Sequence, residues 1–163
     1  MSRGALIVAL ALTSACRSGV TPARLEGALA STFANLVESQ ETLMELPRVA
    51  ASDLRASASC EKPQGHAGGE WRCTVTWFVP RRRVLVHDTY ELTVAADGCY
   101  TAAADPSEAH VGGPRVTTPG GKSMTNLLYA FEGCFDTSWP ERDRSDPRTS
   151  DPAFPTPLRI ALP

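Results

Sequence analysis

Five cysteines constrain this chain of 163 residues more than any other feature. Cys16 stands apart, at the end of Leu12-Thr13-Ser14-Ala15-Cys16. The other four, Cys60, Cys73, Cys99 and Cys134, lie in or beside stretches that alternate apolar and polar residues. An odd count leaves one thiol to explain, and the even remainder fits a disulfide framework. Four cysteines allow three pairings. Cys60–Cys73 and Cys99–Cys134 are preferred, because each closes a modest loop between segments expected to be neighbours.

What precedes Cys16 supplies a compartment. Arg3 gives one positive charge, Ala5 to Leu12 is wholly apolar, and Thr13-Ser14-Ala15 is small and polar. That is the order of an export signal. The apolar run is about half of the roughly 20 residues a spanning helix needs. Two readings follow. Cleavage after Ala15 releases an ordinary secreted chain, or Cys16 is acylated at a lipobox and holds the chain to membrane lipid. The second is preferred, although Thr13 stands where such signals usually carry leucine. It divides the chain into a signal peptide (1–15), a lipidated tether (16–20), a folded domain (21–136) and a tail (137–163), on the outer face of a bacterial cytoplasmic membrane. Disulfides suit that compartment.

The domain begins as a helix. Thr21 followed by Pro22 reads as N-cap and first helical residue. Leu25, Leu29, Phe33, Leu36, Val37, Leu43 and Met44 make one stripe, interrupted by Gln40, and Pro47 ends it. The spacing predicts a helix over 22–45. Period two then takes over: Leu54, Ala56, Ala58 and Cys60; Trp71, Cys73, Val75, Trp77 and Val79; Tyr90, Leu92 and Val94. Asp97-Gly98 is a tight-turn signal before a returning strand at Cys99. The expected fold is α+β: a long N-terminal helix packed on a four-stranded antiparallel sheet with two disulfides. Residues 105–123 read as a loop, and Asn126 to Phe131 as a short apolar element leading to Cys134. Beyond Asp136, six of the thirteen prolines and mixed charges read as a disordered tail.

Several of these segments occur in a recognisable order: Phe33-Ala34-Asn35-Leu36, Ala56-Ser57-Ala58-Ser59-Cys60, Trp71-Arg72-Cys73-Thr74-Val75-Thr76-Trp77, Gly98-Cys99-Tyr100-Thr101-Ala102, Gly112-Gly113-Pro114 and Phe131-Glu132-Gly133-Cys134. Over about residues 22–136 the chain resembles a group of uncharacterised actinobacterial lipoproteins. The resemblance implies an exported, lipid-anchored α+β domain with two disulfides. It brings no activity and no catalytic residue.

The motifs that carry chemistry elsewhere are incomplete here. Gly120-Gly121-Lys122-Ser123 ends like a phosphate loop, but Val116 stands where the first glycine belongs. His66, His87 and His110 have no metal-ligand spacing. No Gly-x-Ser-x-Gly elbow accompanies them. The expectation is therefore no catalytic residue, no metal and no cofactor. The net charge of −2 argues against nucleic acid. Two surfaces remain. Arg81-Arg82-Arg83 could contact lipid phosphates or an anionic wall polymer, or serve only as a solvated turn. The Pro/Gly-rich loop between Cys60 and Cys73 has the logic of a protease-inhibitor loop. The leading expectation is a non-catalytic envelope binding domain whose partner is another envelope protein or a wall polymer. A protease inhibitor is the alternative and a small secreted hydrolase the rival class.

Overall fold

The computed structural model describes residues 19–63, 69–107 and 109–138. Cys16, residues 64–68 of the loop between Cys60 and Cys73 with His66 among them, and nearly all of the tail lie outside the described residues.

Helix α1 (Pro22–Leu43) starts where the sequence places it. Thr21 is extended, and its hydroxyl accepts from the Arg24 amide at 3.4 Å. The helix ends at Leu43, two residues earlier than the apolar stripe suggests. Glu45 takes a left-handed conformation (φ 56°), and the Leu46 amide folds back onto the Glu41 carbonyl at 2.9 Å. Such a reversal satisfies terminal carbonyls that a continuing helix would leave for later residues. The buried face is Leu25, Leu29, Phe33, Ala34, Leu36, Val37 and Gln40. Gln40 does not break the stripe. Its side-chain oxygen accepts from the Leu127 amide at 2.6 Å, so its burial is compensated.

A short 3-10 turn (Ala51–Leu54) follows. Sequence alternation extended the first strand back to Leu54. The structure puts Leu54 in this turn instead, with Arg55 left-handed at φ 47°, and the leucine is buried from there. The main sheet contains β1 (Ser57–Glu61), β2 (Glu70–Val79), β3 (Val84–Val94) and β4 (Cys99–Ala104). Between β4 and the last strand, β5 (Arg115–Thr117) and β6 (Ser123–Thr125) form a separate small hairpin. The chain then returns as β7 (Ala130–Cys134). The order β1-β2-β3-β4-β7 is antiparallel throughout.

The sheet thus has five strands where sequence alternation indicates four. The fifth was hidden because only Phe131 marks its inward side. Gly133 is the other inward position, and it is glycine for a reason of space. The Tyr100 ring lies where a Cβ on Gly133 would stand, and its hydroxyl continues to the Thr32 hydroxyl on α1, 3.1 Å away. Burial pushes the Tyr100 hydroxyl up to about 12. The segment 105–123, expected as a loop, is partly the β5–β6 hairpin. Its Gly120-Gly121-Lys122 stretch belongs to the turn joining β5 to β6, in which Gly121 supplies φ 84°, and is not the strand-to-helix connection a phosphate loop requires.

Helix and sheet enclose one core. Phe33 lies 4.7 Å from the Trp77 ring and 6.2 Å from Tyr90, and Phe131 meets Tyr90 at 5.4 Å. The Tyr90 hydroxyl donates to the Leu128 carbonyl at 2.8 Å. Both preferred bridges are present. Cys60 and Cys73 are directly opposite across β1 and β2, as are Cys99 and Cys134 across β4 and β7. Strand parity puts the first bridge among core side chains and the second on the opposite, open face of the sheet.

Candidate functional site

The two ends of the molecule differ in chemistry. At one end the Arg24 guanidinium donates to the carbonyls of Gly19 (3.0 Å) and Thr137 (3.1 Å). The segment leading in from Cys16 and the segment leading out to the tail are therefore held together there. At the other end, the β2–β3 hairpin projects beyond its neighbours. Strand β1 pairs with β2 only up to Thr76, and β4 pairs with β3 only from Tyr90 onward. Residues 77–79 and 84–86 therefore pair only with each other, as a two-stranded ribbon.

The ribbon tip separates the three arginines that sequence treats as one run. The Val79 carbonyl accepts from the Arg82 and Arg83 amides at 3.1 and 2.9 Å, which closes the turn. Arg81 turns back toward the helix. Its guanidinium donates to the Pro47 carbonyl at 2.5 Å and lies 3.9 Å from Glu41. It braces the tip against the segment after α1. Arg82 and Arg83 are exposed and have no carboxylate partner among the described residues. Arg83 is left-handed at φ 55°, a conformation in which glycine or asparagine is the usual occupant. Leu85 is 68% exposed, Val84 43% and Leu43 57%. Among the described residues these are the exposed large hydrophobic side chains, and all belong to this end.

A second cluster was not anticipated. Asp88 is 1% exposed, and its carboxylate accepts from the amides of His110 and Val111 (2.7 Å for the latter) and from His110 Nδ1 at 3.0 Å. The signal for it was present in the alternation: Asp88 shares the inward parity of Tyr90, Leu92 and Val94. Asn126, also 1% exposed, donates to the Val111 and Gly113 carbonyls at 2.8 Å each. Together the two side chains clamp the segment after β4 onto the sheet. Burial, with the Asp88 charge as a lesser cause, raises the Tyr90 hydroxyl far above its ordinary range. His87 lies beside this cluster, 5.9 Å from His110 between ring centroids. The His110 side chain is 58% exposed, and the carboxylate is already engaged by main-chain donors. Among the described residues no group of three or more metal-ligating side chains occurs.

The clamp has a measurable consequence. Asp88→Asn keeps the side chain's shape, but its NH₂ then faces an amide donor. Loss of charge-assisted bonds of this kind costs about 2–3 kcal/mol. Urea denaturation is expected to show that loss, with faster amide exchange confined first to residues 109–111. Unchanged exchange there would exclude a clamping role.

On the open face of the sheet, Ser59, Glu61, Arg72, Thr74 and Thr89 surround a shallow polar depression. Arg72 is held 3.3 Å from both Glu91 and Asp105. The Ser107 hydroxyl and amide, more than Arg72, keep the Asp105 carboxyl below the usual range. This depression offers hydroxyls and a cluster in which Arg72 is outnumbered by carboxylates, without an apolar wall. Compared with protein-family models, with curated proteins and with solved structures, the chain matches none of them.

Proposed function

We propose that this chain is an exported bacterial lipoprotein, acylated at Cys16, whose domain is a non-catalytic binding module on the outer face of the cytoplasmic membrane. The observation that carries the reading is the cysteine balance. The four cysteines of the domain bridge in pairs, so Cys16 is the odd thiol of five, at the end of an apolar run. A bridged domain belongs to an oxidising compartment. The geometry around Arg24 agrees, since it fixes the start of the fold a few residues after Cys16. The partner in this reading is an envelope protein or a wall polymer.

Labelled palmitate fed to a bacterial host expressing the chain tests the anchor. The wild type is expected to carry label and to sediment with membranes, and Cys16→Ala to carry none and to leave the membrane fraction. An unlabelled wild type would end the proposal. A second reading, the protease inhibitor, is favoured by one observation: the Cys60–Cys73 bridge closes the Pro/Gly-rich loop at its base. Inhibition across a panel of secreted proteases decides it. The Asp88–His110 contact gives the hydrolase reading no support, because that carboxylate serves the main chain of the clamped segment.

A further inference from the structure

We infer that the tip of the β2–β3 ribbon is a membrane-contacting foot, with Val84 and Leu85 entering the headgroup region of an anionic bilayer while Arg82 and Arg83 engage lipid phosphates. The inference goes beyond acylation and does not depend on it. It rests first on where the apolar surface is. The exposed large hydrophobic side chains among the described residues gather at one end, on the ribbon and on the last residue of α1. Grouping of this kind marks contact surfaces, whereas scattered exposed leucines mean little.

The second support is the shape of the patch. Val84 and Leu85 are successive residues of a strand, so they point to opposite faces of the ribbon. A docking protein covers one face of such a ribbon. A fluid bilayer can surround both. The third support is charge. Two guanidiniums, without carboxylate partners among the described residues, immediately precede the aliphatic pair, the combination by which interfacial segments hold anionic lipid. Arg81 is engaged by the Pro47 carbonyl and ties the ribbon tip to the segment after α1. The fourth is backbone strain. Arg83 occupies a left-handed position that glycine would fill at lower cost. Arginine there gives the tip a second exposed charge.

The geometry also says how the domain would sit. Helix α1 has 22 residues and is therefore about 33 Å long. The ribbon tip lies at its C-terminal end, while Gly19 lies at its N-terminal end. With an acyl chain at one end and the tip touching at the other, the long axis lies along the bilayer.

The test uses the full chain carrying Cys16→Ser, so that no acyl group contributes, and flotation with phosphatidylglycerol vesicles or with phosphatidylcholine vesicles. Binding is expected to the first and not to the second, falling with added salt. Leu85→Asp and the pair Arg82→Ala/Arg83→Ala are each expected to reduce binding about tenfold or more. Arg83→Gly separates contact from folding: it is expected to raise the melting temperature while weakening binding. Failure of the Cys16→Ser chain to bind anionic vesicles at low salt would overturn the inference. So would Leu85→Asp binding as well as its parent, or a tip that supports only self-association, seen as a Leu85-dependent dimer in sedimentation with vesicle binding unaffected. None of these results bears on palmitate labelling, so the two proposals fail separately.

Discussion

Replacing Cys60, Cys73, Cys99 and Cys134 together by alanine is expected to give a chain that does not hold its fold at ordinary temperature. In the chain-entropy treatment, the bridge of sequence separation 13 contributes roughly 3 kcal/mol and the one of separation 35 about 4 kcal/mol. Domains of this size have only about 5–15 kcal/mol in total. The two losses differ in kind. Cys60 and Cys73 are buried at 9% and 0% exposure, so their removal also leaves unfilled space beneath α1. Cys99 and Cys134 lie on the open face, and their removal mainly frees β7, which the core holds through Phe131. Urea titration of the two double variants and of the quadruple variant resolves these contributions. A quadruple variant within about 1 kcal/mol of the wild type would mean that the unfolded chain is already compact without its bridges.

Phe33→Ala is the single substitution expected to cost most, about 3–5 kcal/mol. Phe33 is fully buried, and it is the side chain by which the helix reaches both Trp77 and Tyr90. Its loss empties the space between helix and sheet, and the aromatic contacts go with it. Tryptophan fluorescence should shift toward longer wavelength as Trp77 gains water, with the urea midpoint falling in parallel. Leu43→Ala, on the same helix but 57% exposed, is the contrast and should change stability little. Equal costs at the two positions would contradict this placement of the core.

Much of the fold was legible because two periodicities dominate it. Leu25, Leu29, Phe33, Leu36 and Val37 follow the helical period, and Trp71 to Val79 follow the strand period. The preferred cysteine pairing also emerges from neighbouring strands. What stayed hidden depends on contacts distant in sequence. Gln40 reads as a flaw in a stripe until the Leu127 amide is brought against it from 87 positions away. Asp88 has inward parity, yet its partners are mostly main-chain amides of a segment with no period. Strand β7 is short, and one of its two inward positions is glycine. The arginine run was visible as charge only. Its division into one brace and two guanidiniums without a carboxylate partner among the described residues follows from where Pro47 comes to rest after α1. Cys16, on which the proposed anchoring depends, was readable from the sequence and lies outside the described residues.

The two bridges have a mechanical consequence. Strands β1 and β7 are the borders of the sheet, and each is fastened covalently to its inner neighbour. Tension applied between the chain termini therefore passes through sulfur at both borders. The residues enclosed by each bridge are withheld from extension however far the remainder is drawn out. A domain pulled from its two ends would lengthen by much less than its residue number implies, and neither border strand could be peeled away to pair with another molecule.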